Sequence, residues 1–453
     1  MSDTSGTAGL PADSSSDGWG LPLQPEHLAA ARRWLWLGLA ALAGAGLFAV
    51  LLVLARTPGA QQWLPGIDLF RVALVTHVDL SVLVWFLACA GFLWTLRDGP
   101  RGAWGSRAFG LAVAGAAGIV LAPLTGGGPP VLSNYVPVLA QPLFLGGLAL
   151  FAAGIALRAF LCAERGLEVA HGGPVAGGLF LVAVATLLAG FTLARTLLKL
   201  PPVSDLQVRY ELLFWPVGHV LQFAYTALAL VAWLWLATGT GLRLLLSARA
   251  TTLLLLTGAL PLLGVPLIEI STLPGSGDQR VFYTLLMRWG GLWPAVPIGL
   301  LVLLACLTGP RPAPAQRPAR SALYASLLLY AVGVAGALAS PDLDALLPGQ
   351  VRGTVTGVSL ALMGLAYHLL PRFGRAVPGR PCLVQTWLFA GGQLLTAVAV
   401  AWSVRAVDAG THPAVTAAIT LGHLLAALGL LLFVLLCART LLGGDADRDD
   451  QLT

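Results

Sequence analysis

Twelve long apolar stretches fill this chain of 453 residues, and they decide its fold class. Hydrophobic residues make up 57% of the chain and charged residues only 10%, which is too apolar for a water-soluble domain. Each stretch is close to the roughly 20 residues that a helix needs to cross about 30 Å of hydrocarbon. We therefore expect an all-α, polytopic membrane protein with about twelve transmembrane helices. The predicted spans are 34–55, 72–95, 108–125, 137–157, 174–195, 213–237, 252–270, 283–307, 321–339, 351–370, 384–403 and 414–438.

The basic residues outside these spans are distributed unequally between the two sides of the membrane. When the sides alternate along the chain, one side carries the larger share of the 26 Lys and Arg residues. Short cytoplasmic loops are enriched in Lys and Arg, so this side is predicted to be cytoplasmic, with both termini on it. The net charge of +6 is then a topology signal, and no nucleic-acid partner is needed to explain it. We expect a multi-pass protein of the cell inner (plasma) membrane, surrounded by membrane lipid.

Both ends of the chain are polar. Residues 1–30 are rich in Ser, Asp and Gly and have no basic segment before an apolar one, which predicts a disordered cytoplasmic tail and not a signal peptide. Residues 442–453 are predicted to form a similar acidic tail, and residues 31–441 to form the membrane domain. The predicted loops are too short for a soluble catalytic module, so any chemistry is expected inside the helical bundle.

Ionisable residues inside the predicted spans are few, and they are the candidates for function. A central Arg, Lys or Asp costs roughly 2.5–3.5 kcal/mol on insertion scales, so those that persist usually face the bundle interior. His77 and Asp79 lie in the second span, His219 in the sixth and His423 in the twelfth. His77 and His219 are each roughly 10 Å below the same membrane face. They are predicted either to share a haem or metal site or to be separate buried histidines with hydrogen-bonded rings.

Prolines and cysteines inside the spans carry structural predictions. Pro261 and Pro266 in the seventh span, and Pro294 and Pro297 in the eighth, predict kinks because each proline removes an intrahelical hydrogen bond. The five cysteines form no Cys-x-x-Cys pair, and those within spans are predicted to be small packing residues.

Four segments of the chain form a pattern when they are taken together. His77 lies in VALVTHVDLSVLVWFLACAGF and His219 in FWPVGHVLQF; the other two are TLLMRWGGLWPAVPIGLL and LPGQVRGTVTGVSLALMGLAYHLLPRFGR. In combination they resemble the second, sixth, eighth and tenth helices of subunit I of the haem-copper oxidase superfamily, which includes cytochrome c oxidases and nitric oxide reductases. The resemblance covers roughly residues 30–440. It implies a twelve-helix subunit in which His77 ligates a low-spin haem and His219 binds copper.

The ligand positions depart from that family. Its tenth helix opens with His-x-His, and the corresponding residues here are Gln350 and Arg352. The His-His pair that completes its copper site corresponds to Ile268 and Glu269. One imidazole without further ligands is a poor copper site. We therefore expect a subunit-I fold without a complete haem-copper centre for O2 reduction.

The resemblance still implies a place for one low-spin haem. His77 is its first axial ligand, and His423 or His219 supplies the second. Arg352 lies toward the outer side, where the haem propionates lie in the family, and three roles are open to it. It pairs with those carboxylates, it snorkels to the interface, or its charge fills the vacant ligand position and excludes haem.

Three functions are compatible with these observations. The first is an oxidase-like subunit of a respiratory electron-transfer system, which binds haem, receives electrons from a donor such as a cytochrome c and contacts other respiratory-complex subunits. The second is a non-catalytic homologue that acts as a membrane scaffold or in oxidase assembly. The third is a secondary transporter, a class in which twelve spans and broken helices are common. The cytoplasmic halves of the spans are almost free of polar residues, which predicts no proton channel from that side.

Overall fold

Twelve helical spans lie within the residues that the structure describes, as the sequence predicts. The computed structural model describes residues 18–55, 68–126, 128–133, 135–166, 172–339, 343–373, 377–405 and 413–449, and for 339, 343–352, 404–405 and 444–449 only the backbone. The predicted class, an all-α polytopic membrane protein, is confirmed. The spans, numbered in chain order, are Pro25–Ala55, Leu69–Asp98, Gly102–Thr125, Pro142–Ala163, Gly173–Lys199, Leu206–Gly239, Ala248–Ser271, Gly277–Thr308, Pro314–Leu338, Gly353–Phe373, Gly379–Ser403 and Pro413–Gly443.

Most spans consist of one α-helix, and three have a 3-10 turn at one end. The third span is the helix Gly102–Leu121 followed by the turn Ala122–Thr125. The turn Pro314–Gln316 precedes the helix Arg317–Ala339 of the ninth span. In the tenth span, Leu370–Phe373 follows the helix Leu343–Leu369, which begins before the apolar part of the span.

The second, seventh and eighth spans are interrupted. In the seventh and eighth spans the interruptions fall in the regions where prolines predict kinks. Proline has no backbone N–H group, so one hydrogen bond of the helix is missing at each of these positions. The second and eighth each contain a π-helix, a wider turn that is frequent at functional sites. The second span consists of Leu69–Val78, the π-helix Asp79–Val84 and Trp85–Asp98. The seventh consists of Ala248–Leu256, Ala259–Leu262 and Gly264–Ser271. The eighth consists of Gly277–Leu285, the π-helix Leu286–Gly290 and Ala295–Thr308.

A two-stranded antiparallel sheet lies in the connection between the third and fourth spans. Strand Pro130–Val131 pairs with strand Val138–Leu139. The side-chain amide of Gln141 donates to the carbonyl oxygen of Ala122 over 2.8 Å, which joins the end of this connection to the third span. The loop between the two strands carries Tyr135, and the short sheet thereby fixes the position of that side chain.

The ninth and tenth spans pack together, as do the eleventh and twelfth, and the first span also packs against the twelfth. The sixth span is central, because 89% of its 18-residue apolar segment is buried inside the protein. The seventh and eighth spans are peripheral, because only 33% of the corresponding segment of each is buried. Small residues allow close contact between membrane helices. A Cβ atom on Gly392 of the eleventh span would lie 2.5 Å from the carbonyl oxygen of Gly422 in the twelfth, so the two backbones approach as closely as glycine permits.

The first and last helices extend beyond the predicted spans. The first begins at Pro25, inside the tail predicted for residues 1–30, and the twelfth continues to Asp449, inside the tail predicted for residues 442–453. Hydropathy detects only the apolar part of a helix, whereas the backbone hydrogen-bond pattern continues into its polar turns. Residues 1–17 and 450–453 lie outside the described residues.

Candidate functional site

His77 is the last residue but one of the helical segment Leu69–Val78, two residues before the π-helix of the second span begins. Its Nδ1 atom lies 2.8 Å from the carbonyl oxygen of Ala45 in the first span. A carbonyl oxygen can only accept, so Nδ1 carries the proton and Nε2 keeps its lone pair. The ring is half-buried, and among the described residues Nε2 has no hydrogen-bond partner. Metal-ligating histidines almost always donate their other ring N–H to a backbone carbonyl or carboxylate, so this geometry suits an axial ligand.

Asp79 begins the π-helix two residues after His77. Its residue is 1% exposed, and neither carboxyl oxygen has a hydrogen-bond partner in the part of the chain that the structure describes. Burying a polar group without a hydrogen bond costs roughly 2–7 kcal/mol, so such a group in a folded protein needs a physical reason. Together with the π-helix, this unpartnered carboxyl marks the middle of the second span as a candidate site.

His219 in the sixth span has partners for both ring nitrogens. Nδ1 donates to the carbonyl oxygen of Trp215 over 2.7 Å, and the hydroxyl of Tyr135 lies 3.2 Å from Nε2. Burial raises the pKa of the Tyr135 phenol, so the hydroxyl keeps its proton and donates to Nε2. Gly218 makes this possible, because a Cβ there would collide with the Tyr135 ring. The lone pair that a metal would need is therefore already used.

Glu269 in the seventh span occupies the position where the resemblance places a copper histidine. Its carboxylate is 1% exposed and accepts from Arg195 over 2.6 Å, from the Tyr283 hydroxyl over 2.6 Å and from the Gln279 amide over 3.2 Å. The Tyr283 ring lies 6.2 Å from the His219 ring, so the two networks adjoin. A buried ion pair with further hydrogen bonds thus joins the fifth, seventh and eighth spans.

The residues around His219 do not fit copper. Copper in such a site needs several imidazole or thiolate ligands, and His219 is the single histidine of this network. Across the described residues, no group of three or more His, Cys, Asp or Glu side chains is arranged to hold a metal ion. With the carboxylate of Glu269 engaged by Arg195, no copper ligand set is assembled here.

The other predicted site residues lie on separate helices. His423 is half-buried in the twelfth span. Arg352 lies in the tenth-span helix Leu343–Leu369, and its side chain is outside the described part of the structure. No described contact joins His77 to His219, so each histidine belongs to its own set of neighbours.

The partners of His219 and Glu269 had no signal in the sequence. Tyr135 lies in a loop 84 residues before His219, and Arg195 lies 74 residues before Glu269. Helical periodicity predicts which face of one helix is buried, and it does not predict which residue of another span meets that face.

Comparison with known proteins gives relatives without an assigned function. No family model matches the chain. The chain is similar to an uncharacterised protein of Aquifex aeolicus (strain VF5), with 26% identity over 346 residues that cover 75% of this chain and 84% of that protein. It is also similar to an uncharacterised protein of Rickettsia prowazekii (strain Madrid E), with 24% identity over 407 residues that cover 75% of this chain and 78% of that protein.

Proposed function

We propose that this protein is a haem-binding, cytochrome c oxidase subunit I-like component of a respiratory electron-transfer system, without a complete haem-copper centre for O2 reduction. The observation that carries the proposal is the His77 ring, held at Nδ1 by the Ala45 carbonyl while Nε2 keeps an unused lone pair. The resemblance of the second, sixth, eighth and tenth spans to that family supports the choice of haem over other ligands of imidazole.

In this proposal the imidazoles of His77 and His423 would hold the haem iron. His219 is the alternative second ligand, and Trp215 and Tyr135 contact its two nitrogens. When bound, haem supplies one-electron transfer at its iron. The Ala45 carbonyl orients the His77 ring for this task, and Arg352 is proposed to pair with the propionates.

The cellular setting of the proposal follows the charge pattern and the resemblance. We place the protein in the cell inner (plasma) membrane with both termini in the cytoplasm, because the arginine-rich side of a multi-pass protein faces the cytoplasm. Its proposed partners are other respiratory-complex subunits and an electron donor such as a cytochrome c.

Optical spectra of the purified full-length chain test the proposal. We expect a reduced-minus-oxidised spectrum with sharp α-bands and extractable haem in the wild-type protein. Both should be lost in His77→Ala, and the sharp bands should be lost in His423→Ala. His219→Ala is the matched control, because it removes an intramembrane histidine whose nitrogens are already engaged. A featureless spectrum from well-folded wild-type protein would overturn the proposal and favour the scaffold function.

One observation favours a transporter as the second candidate. The seventh and eighth spans are broken helices, and the buried pair of Arg195 and Glu269 lies at the end of the seventh span. Substrate sites of secondary transporters are often built from discontinuous helices with intramembrane charges. Uptake of a solute into proteoliposomes by haem-free protein, lost in Glu269→Gln, would establish this function in place of the first.

A further inference from the structure

Two arginines and an aspartate lie together where the second and fourth spans end, on the side predicted to be cytoplasmic. Arg97 and Asp98 are the last two residues of the second span, and Arg158 lies five residues before Ala163, which ends the fourth span. The side chain of Arg97 is 9% exposed, and those of Asp98 and Arg158 are each 1% exposed. This arginine cluster is therefore enclosed by protein close to one end of the bundle.

The charges of the arginine cluster do not cancel. The Nε atom of Arg97 lies 3.5 Å from one carboxyl oxygen of Asp98, and Nη1 of Arg158 lies 3.6 Å from the other. Two guanidinium groups thus share one carboxylate, so two positive charges and one negative charge leave a net charge of +1 among the described residues. A buried charge without a counter-charge is costly. One more negative charge would make the cluster neutral.

The Arg158 guanidinium also has N–H groups that the protein does not use. Its Nε donates to the hydroxyl of Thr95 over 3.3 Å. Nη1 and Nη2 are both buried, and neither has a hydrogen-bond partner in the described part of the chain. Each of these nitrogens carries two N–H groups. Because buried donors in folded proteins are nearly always hydrogen-bonded, these groups indicate a ligand that is rich in acceptor oxygens.

Arg320 in the ninth span shows that this bundle can satisfy a buried arginine with its own atoms. Arg320 is 1% exposed, as buried as Arg158. Its Nε donates to the Thr240 hydroxyl over 2.8 Å, and its Nη2 donates to the Thr240 carbonyl oxygen over 2.6 Å. Its Nη1 donates to the Tyr324 hydroxyl over 3.3 Å. Burial alone therefore does not explain the unused N–H groups of Arg158.

The protein surface beside the arginine cluster has the features of a lipid headgroup region. Trp104 lies in the first turn of the third span, six residues after Asp98, and is 56% exposed. The Arg107 guanidinium lies 4.7 Å from the centre of the Trp104 ring. Exposed tryptophan at the end of a span is typical of the membrane–water interface. The cluster is thus close to the level at which lipid phosphate groups lie.

We propose that Arg97 and Arg158 bind the phosphate group of a membrane lipid. The planar guanidinium fork can donate two parallel hydrogen bonds to phosphate oxygens, which makes arginine well suited to this anion. A lipid phosphodiester carries a single negative charge and would neutralise the cluster. A phosphate monoester carries about −1.5 to −2 at pH 7 and would exceed the excess positive charge. The Asp98 carboxylate beside the anion repels this additional charge and so favours the phosphodiester.

Lipid binding to the purified full-length protein tests the site. Delipidated protein in detergent is titrated with dioctanoyl phosphatidylglycerol, and bound lipid is counted by native mass spectrometry. We expect one tightly bound lipid per chain and no binding of dioctanoylglycerol, which lacks the phosphate. Inorganic phosphate is titrated in a parallel sample. If it binds to the arginine cluster more tightly than the lipid does, the lipid is overturned as the source of the phosphate and the phosphate site is retained.

Matched arginine variants locate the bound lipid. Arg158→Lys keeps the charge and removes the fork of donors, so the Kd for the lipid should rise by about tenfold or more. Arg320→Lys should leave this Kd unchanged, because the N–H groups of Arg320 already have acceptors in the protein. Glu168→Gln, a change outside the described residues, should also leave it unchanged. Tighter lipid binding in Glu168→Gln would show that a carboxylate of this chain neutralises the cluster, and it would overturn the proposal.

A second variant keeps the test decisive if Arg158→Lys does not fold. Arg97→Lys changes the more exposed arginine of the cluster and should weaken lipid binding in the same direction. Haem measured on the same samples reports the proposed function independently, because the arginine cluster does not include His77. No lipid retained by the wild-type protein, or equal lipid affinity in the wild type and the folded lysine variants of the cluster, would overturn the proposal.

Discussion

Two histidines for which the sequence predicts similar depth differ in how much of their hydrogen-bonding capacity the protein uses. His77 has one described partner, the carbonyl oxygen of Ala45, and its Nε2 lone pair is unused. His219 donates to Trp215 and accepts from Tyr135, so its ring is fully engaged. Depth in the membrane therefore does not identify a ligand. The partners of each ring nitrogen distinguish a histidine that is available to a metal from one that holds helices together.

The largest expected effect is on the proposed haem in His77→Gly. Removal of the ring should abolish haem binding, because the axial bond is lost together with the Ala45 contact that orients it. Added imidazole should restore the α-bands, since the glycine leaves a space of the same shape. His219→Gly should keep its haem with or without imidazole. Equal loss in both glycine variants would show that the two histidines do not differ as the hydrogen bonds indicate.

The second effect concerns the ion pair beside His219. Arg195→Met leaves the buried Glu269 carboxylate without its cation, and breaking a buried pair in this way costs about 3–5 kcal/mol. Thermal unfolding in detergent should show a clear drop in midpoint. Arg280→Met is the matched control, because its pair with Glu211 is exposed and should matter little. If the two arginine variants unfold at the same temperature, the Glu269 network does not support this half of the bundle.

The third effect comes from the backbone beside His219. Gly218→Ala places a methyl group against the Tyr135 ring, and overpacking of this kind typically costs about 1–3 kcal/mol. Unfolding followed by tryptophan fluorescence should detect it. Gly146→Ala should leave the free energy of unfolding almost unchanged, because a Cβ there meets no atom within 4 Å. A silent Gly218→Ala would mean that the loop between the two strands does not rest on the sixth span.

The smallest effect is expected for Tyr135→Phe. This change removes one hydroxyl and its hydrogen bond to His219, for which about 1 kcal/mol is typical. The spectrum of the proposed haem should be unchanged, because Tyr135 contacts His219 and the proposed ligand is His77. A shifted haem spectrum in this variant would show that the two regions are coupled.

The fold class and the number of spans were predictable from the sequence, and the contacts of the site were not. Twelve spans follow from hydropathy, because the length and apolar composition of each stretch predict a membrane-spanning helix without reference to the other stretches. The interruptions of the seventh and eighth spans follow from the chemistry of proline at Pro261 and Pro294. The partners of Glu269 come from other segments of the chain. A local sequence pattern does not predict which helices become neighbours.

The cysteines illustrate the same limit. Taken one at a time along the sequence, Cys382 and Cys437 are typical small packing residues. The residues of other spans that each of them meets depend on how the eleventh helix packs along the twelfth, where a Cβ on Gly429 would lie 2.6 Å from the backbone nitrogen of Phe389. Such a juxtaposition can be recognised only after two helices have been aligned in space.

The π-helix Asp79–Val84 also has a consequence for how this chain tolerates insertions and deletions. A π turn holds one more residue than the α turn it replaces. Loss of one residue within it would restore an α-helix and leave His77 and Trp94 on their present faces. Loss of one residue elsewhere in the second span would rotate one half against the other by about 100°. In an alignment with homologous chains, a single-residue gap in this span should therefore fall between positions 79 and 84.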